Sequence, residues 1–157
     1  MLVAIDEAEK AGLRDEVPVG AAIYDHEHGH IVAKAGNNVR SLNDPTAHAE
    51  ILVIREACKK IGQSRLAFFS LYVTLEPCPM CCQAISFARL PKLVFGAYDT
   101  KGGGVEHGPK IFSHPTSHHY LEILGGIEEQ RCAELLSDFF NKKRQESSSV
   151  KKNHNKS

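Results

Sequence analysis

The sequence has no long apolar run, no net charge and no internal repeat, and each absence narrows what the chain can be. No stretch approaches the roughly 20 consecutive apolar residues needed to cross a bilayer. Asp6, Glu7, Glu9 and Lys10 interrupt the first thirteen residues, which therefore do not read as a secretory signal. The expected location is cytoplasmic, with no membrane partner. A formal net charge of zero argues against a general nucleic-acid coat. What remains is ordinary globular composition: 157 residues, 42% hydrophobic and 24% charged, suit one domain around one core.

The charge is uneven, however. Beyond Asn141 stand Lys142, Lys143, Arg144, Lys151, Lys152 and Lys156 against Glu146 alone. Such an end is either a phosphate-binding arm or a solvated terminus. Low complexity begins at Ser147, so residues 147–157 read as a basic, disordered tail.

Ala4, Ile5, Ala8 and Leu13 mark a first helix ending near Gly12. Ala21–Tyr24 and Ile31–Ala33 flank the turn Asp25–Gly29 as a hairpin. Asn37–Thr46 reads as a polar loop. Ile51, Ile54, Ala57, Cys58 and Ile61 recur at helical spacing and stop at Gly62. Leu71–Leu75 and Leu93–Tyr98 are short apolar runs joined by a helical stretch with Cys81, Ala84, Ile85 and Ala88 on one face, which is a βαβ crossover between buried parallel strands. Asp99–Pro115 is a glycine-bearing loop, Tyr120–Leu124 a fifth short strand, and Ile127–Arg144 a last helix with Cys132, Leu135, Leu136, Phe139 and Phe140 as its stripe.

Five cysteines cannot all pair, and two stand as Cys78-Pro79-Met80-Cys81. In a reducing compartment that spacing points to metal or redox use more than to a disulfide framework. Pro79 pushes Cys78 toward extended geometry and suits the first helical position, which makes Cys78 an N-cap and puts Cys81 in the first turn. Free amides and the positive end of the helix dipole stabilise thiolate there.

Asp44-Pro45-Thr46 is a second helix-start signal, placing His48 in a first turn with Glu50 two residues on. Residues two apart on a helix point about 200° away from each other, so His48 and Glu50 can converge only on something beyond the helix end. A metal held between two helix starts meets that condition. His48, Cys78 and Cys81 then supply three ligands, the number typical of catalytic zinc. Two thiolates cancel the charge of the ion and weaken its effect on bound water, so a nearby base is needed. Glu50 can take that proton and deliver it to a ring nitrogen or leaving amine. The competing readings are a zinc knuckle and a redox pair. The knuckle wants a fourth ligand, and Cys82 is rotated about 100° from Cys81; the redox pair leaves His48 and Glu50 unexplained.

His48-Ala49-Glu50 with Pro77-Cys78-Pro79-Met80-Cys81 resembles the signature of the zinc-dependent cytidine/deoxycytidylate deaminase superfamily. The segments "NDPTAHAEI", "LYVTLEPCPMC", "VFGAYDTKGG" and "LLSDFF" are similar to those of bacterial tRNA-specific adenosine deaminases, over about Glu16 to Glu146. The resemblance implies one zinc deaminase domain over residues 1–146. It implies an α/β fold of three αβα layers around a mixed five-stranded sheet. It implies one Zn²⁺ per chain on His48, Cys78 and Cys81, with Glu50 as proton shuttle and Asn37 as base contact. Asp99, Thr100 and Lys101 would lie along the RNA. The implied reaction converts the wobble adenosine of an arginine tRNA anticodon to inosine, in a homodimer. Deamination of free guanine, cytosine or a nucleoside uses the same metal and glutamate, and a zinc-stabilised RNA-binding module without catalysis is a third reading.

Other residues are read more plainly. His26, His28 and His30 straddle the hairpin turn and read as solvated. His118, His119 and Tyr120 fit either an RNA contact or a strand edge. Phe139 and Phe140 fit a core stripe or a nucleotide platform, and Lys142, Lys143 and Arg144 also suit the end of a helix dipole.

Overall fold

The computed structural model describes residues 1–154, with side chains through residue 149. Helix α1 (Leu2–Leu13) leads into the antiparallel hairpin β1 (Gly20–Asp25) and β2 (His30–Gly36). Then come a single turn α2 (Val39–Leu42), helix α3 (Ala49–Ile61), β3 (Phe69–Leu75), α4 (Pro79–Phe87) and β4 (Lys92–Ala97). A 3₁₀ turn at Ile111–Ser113, β5 (Glu122–Leu124) and α5 (Glu129–His154) complete it.

The sheet order is β2-β1-β3-β4-β5. β1 runs antiparallel to β2 and β3, while β3, β4 and β5 run parallel, so the sheet is mixed as expected. Alternation along the strands builds the layers. Ala21, Ile23, Leu71, Val73, Leu93 and Phe95 share one core with Ala49, Val53 and Ala57 of α3 and Ile85 of α4. In the other layer, Ile5 of α1 and Cys132 of α5 form a second cluster with Ala97 at the end of β4. Two glycines allow the second layer to lie directly on the strands. A methyl at Gly20 would overlap the Ala4 carbonyl oxygen, and one at Gly96 would come within 2.5 Å of Cys132 Sγ.

Three local differences from the sequence reading have physical causes. The loop Asn37–Thr46 contains α2, because the amides of Arg40 and Ser41 find a partner outside the loop in the Glu16 carboxylate. Helix α5 starts at Glu129, two residues later than expected, since Gly126 and Glu128 have left-handed backbone at φ 80° and 58°. It continues to His154, ten residues past Arg144, with Ser147, Ser148 and Ser149 hydroxyls bonded to carbonyls four residues back. The helix thus carries most of the segment read as a tail; residues 155–157 lie outside the described residues.

A buried carboxylate ties the long loop to the start of α4. The Glu76 side chain is fully buried just after β3. Its Oε1 accepts from the amides of Val105, Glu106 and His107 at 3.2, 2.9 and 3.0 Å. Its Oε2 accepts from the Asp99 amide at 3.0 Å and from His107 Nδ1 at 2.8 Å. Gly103 lies against it: a Cβ there would sit 2.6 Å from the carboxyl carbon. The next residue, Gly104, donates to the Pro77 carbonyl at 2.8 Å.

Burial alone would raise the Glu76 pKa, but the Asp99 amide, the His107 ring and the other amides outweigh it and hold the carboxyl below its ordinary value of 4.5. A depressed folded-state pKa means the contribution to stability is complete above that ordinary value and is lost as pH falls through the folded one. Replacing Glu76 by alanine strands several donors, the Val105 amide among them in a buried setting. Glu76→Ala is expected to cost about 3 kcal/mol or more in urea unfolding at pH 7. The acid-induced loss of stability below about pH 4 should be smaller in the variant than in the parent chain.

Candidate active site

His48 and Cys78 are both N-cap residues. His48 caps α3 with φ −70° and ψ 151°, and Cys78 caps α4 with φ −70° and ψ 167°. His48 therefore stands one position earlier than the first-turn placement read from sequence. Asp44 explains the setting: its Oδ1 accepts from the amide and hydroxyl of Thr46 at 2.8 and 2.7 Å, and the Thr46 carbonyl then accepts from the His48 amide at 2.8 Å. Because both caps are extended, their side chains leave from the helix end rather than from its flank, which is what convergence required.

The convergence is tight. His48 Nδ1 lies 3.6 Å from Cys78 Sγ and 3.6 Å from Cys81 Sγ. All three donor atoms fall within 4.8 Å of one another, the one such group found among the described residues. A tetrahedral zinc with Zn–S near 2.3 Å and Zn–N near 2.05 Å would hold nitrogen and sulfur about 3.6 Å apart. The donor types and the two measured edges both fit that ion.

The electrostatics favour a thiolate. Hydrogen bonding from Cys81 lowers the Cys78 pKa to about 4, with His48 adding and burial opposing. The same Cys78–Cys81 bond, together with burial, pushes Cys81 up. Two sulfurs set this close and pushed in opposite directions, one toward thiolate, form a donor pair suited to a divalent cation. Glu50, in the first turn of α3, is 4% exposed. Burial pushes its carboxyl up to about 7, with its own amide and His48 opposing and the Cys78 charge adding.

A cleft of about 490 Å³ opens beside the site, reaching His48 and Cys78, while the buried Cys81 and Glu50 lie behind its lining. His48, Cys78, Asn37 and Asp99 line it, so two of the expected substrate contacts share the cavity with two of the expected ligands. Thr100 and Lys101 are exposed on the loop beside Asp99 and do not line it. Glu16 and Glu76, absent from the sequence reading, do line it. Their only trace in the sequence is a carboxylate abutting a short apolar run beside a proline, in Glu16-Val17-Pro18 and Leu75-Glu76-Pro77. Phe139 and Lys143 of α5 also border the cleft, with Lys143 paired to Asp15.

The remaining candidates go elsewhere. Cys82 is buried and donates its thiol to the Pro77 carbonyl at 3.5 Å. His26 bonds the Ser70 hydroxyl at 2.5 Å and His28 bonds Asp25 at 2.8 Å, both at the hairpin turn.

Known proteins resemble the chain at every level. The tRNA-specific adenosine deaminase of Agrobacterium fabrum is 54% identical over 144 residues, covering 92% of this chain and 93% of that protein. A solved structure from work on A-to-I editing by tRNA:A34 deaminases at the wobble position of transfer RNA superposes with a TM-score of 0.84. It is 54% identical and covers 87% of this chain and 97% of its own. The guanine deaminase of Bacillus subtilis superposes with a TM-score of 0.60 at 35% identity, over 76% of this chain and 78% of its own. The region described as the cytidine and deoxycytidylate deaminase zinc-binding region matches residues 1–97, and with these relatives it shows that the chain belongs to the zinc-dependent cytidine/deoxycytidylate deaminase family.

Proposed function

We propose that this chain hydrolyses the wobble adenosine of a tRNA anticodon loop to inosine, with one zinc ion per chain on His48, Cys78 and Cys81 and Glu50 as the catalytic residue. The observation that carries the reading is the 3.6 Å convergence of His48 on both sulfurs, at a cleft shared with Asn37. The 54% identity to a tRNA-specific adenosine deaminase supports the choice of substrate.

Zinc at these donors would supply Lewis acidity and make a water in the site more acidic. Glu50 does the proton work. Buried beside the ligands, it takes one proton as water oxygen bonds to C6 and passes it to ring N1, then takes the hydroxyl proton and delivers it to N6 as the C6–N6 bond breaks, so that C6=O, N1–H and ammonia account for both protons of water. Asn37 holds the base by its amide, while Asp99, Thr100 and Lys101 follow the RNA backbone. Their loop is kept in place by the Glu76 clasp. An anticodon loop presents a base that is already partly unstacked, which lowers the cost of placing it in the cleft.

The finer reading is an arginine tRNA as substrate, a homodimer, and a cytoplasmic enzyme whose single deaminase domain spans residues 1–146. Phe87 and Met80 support the dimer, since both expose apolar surface on the metal-bearing helix α4. No described helix is long and apolar enough to cross a membrane. The likeness to guanine deaminase keeps a second reading, a free nucleobase, in view. Exposed Lys142 and Arg144, flanking Lys143 near the cleft, favour RNA, because a free base has no phosphates for them to meet.

Three measurements test this. Cys78→Ala should lose its metal, read by elemental analysis of the purified protein; full zinc occupancy would remove Cys78 from the ligand set. Glu50→Ala should keep zinc and RNA affinity while turnover drops by about 10² to 10⁴. Binding of an anticodon stem-loop should weaken with salt by a log-log slope of about −0.7 per phosphate contacted. A flat salt dependence, with turnover of free guanine, cytidine or adenosine, would favour the free-base reading instead.

A further inference from the structure

Glu16 sits between α1 and β1, fully buried, and none of the steps above uses it. Every group aimed at its carboxylate is a donor. Oε1 accepts from the Ser41 amide at 2.8 Å and the Ser41 hydroxyl at 3.1 Å, and Oε2 accepts from the Arg40 amide and from Asn37 Nδ2, both at 3.2 Å. Burial alone would raise the Glu16 pKa, but the Ser41 and Arg40 amides and the Ser41 hydroxyl outweigh it and hold the carboxyl below its usual range.

An ionised carboxylate accepts hydrogen bonds and donates none. Asn37 therefore has one permitted amide orientation, with Nδ2 toward Glu16 and Oδ1 away. The rest of Asn37 is already fixed. Its amide donates to the Val19 carbonyl at 2.9 Å, and its own carbonyl accepts from Arg14 at 3.4 Å. The end-over-end flip of the side-chain amide is the freedom that Glu16 removes. Asn37 is 7% exposed and lines the cleft beside His48 and Cys78, so what it shows there is what a base would meet.

We propose that Glu16 is a positioning residue: it locks the Asn37 amide in one of its two flips and thereby sets the donor and acceptor pattern the cleft offers to a purine. This rests on the reading of Asn37 as a base contact. The neutral amide of a glutamine at position 16 would turn its NH₂ group toward Asn37 and the Arg40 amide if its oxygen stayed with Ser41; the Arg40 amide would lose its acceptor, and Asn37 would flip to present its oxygen to position 16 and its NH₂ to the cleft.

The test is a double-mutant cycle on zinc-loaded protein with an adenosine-bearing anticodon stem-loop. Zinc content and melting temperature are measured alongside. Glu16→Gln is expected to lower kcat/KM about ten- to a hundredfold, the range a misdirected bidentate amide costs. Asn37→Ala should lower it as well, and the double variant should match Asn37→Ala within about twofold, since Glu16 then has nothing to orient. Losses that multiply would overturn the proposal and leave Glu16 a purely structural anchor. No loss in Asn37→Ala would instead overturn the reading of Asn37 beneath it. Should Glu16→Gln fail to fold, the parent protein still decides by NMR, with the Asn37 side-chain amide identified by its disappearance in Asn37→Ala. One Nδ2 proton should be shifted downfield and protected from exchange; two protons at ordinary side-chain amide shifts, both exchanging fast, would refute the lock.

Discussion

Three donor atoms meet in this fold because two helices begin with residues that are not yet helical. A side chain within a helix leaves along the flank, and two flanks facing each other would need His48 and Glu50 to point the same way, which their spacing forbids. At ψ 151° and 167° the caps escape that constraint. Pro79 forces the extended state on Cys78 while fitting the first helical position itself. The sheet then supplies the address. β3 and β4 run parallel, α4 leaves from the carboxyl end of β3, and the cleft opens there, where the ends of parallel strands leave room for a ligand.

Around that point the chain buries three carboxylates, Glu16, Glu50 and Glu76, and gives them two different fates. Desolvation acts on all three and by itself favours the neutral acid. Glu16 and Glu76 are each met by several N–H or O–H donors, which reverse the balance and keep them anionic. At Glu50 desolvation is the larger effect and the Cys78 charge adds to it, so its own backbone amide, His48 and the Cys81 thiol do not reverse the balance. The anionic pair fixes loops: Glu16 holds Asn37 and α2, and Glu76 holds Asp99 and the glycine-bearing loop. The one left near neutrality is the one that can both accept and release a proton in the same cycle. Donor count, rather than burial, separates the rigid anions from the carboxyl proposed as proton carrier.

The sheet, its crossover and the metal triad were legible because each is written locally. Periodicity marks α3 and the buried strands, and the prolines around Cys78 announce a cap. Asn37 is different: alone it reads as a turn residue, and the family resemblance is what singles it out. The clasp by Glu76 was not legible, since its partners lie 23 to 31 positions away and are mostly backbone amides, which have no residue identity to read. The same holds for Glu16, whose partners lie 21 to 25 positions away. The length of α5 was missed for a different reason. Ser147, Ser148 and Ser149 read as low complexity, and with no apolar stripe beyond Arg144 the segment gives no periodic signal.

Cys82 bears on why the proposed metal site has three donors. It neighbours Cys81, it is a thiol, and a fourth protein donor would convert the triad into a closed structural centre. Its place one residue along α4 turns it away from His48 and into the core with Ala49, Val53 and Ile85, where its S–H is taken by the Pro77 carbonyl. Burial, with the nearby Cys78 and Glu50 charges, pushes its thiol up, so it holds its proton where Cys78 gives one up. Ligation by Cys82 would require breaking that bond, ionising a buried thiol and rotating the first turn of α4. Rotating that turn would carry Cys81 away from His48. The two sulfurs therefore exclude each other, and the triad stays at three donors because α4 can present only one of its adjacent cysteines to the site.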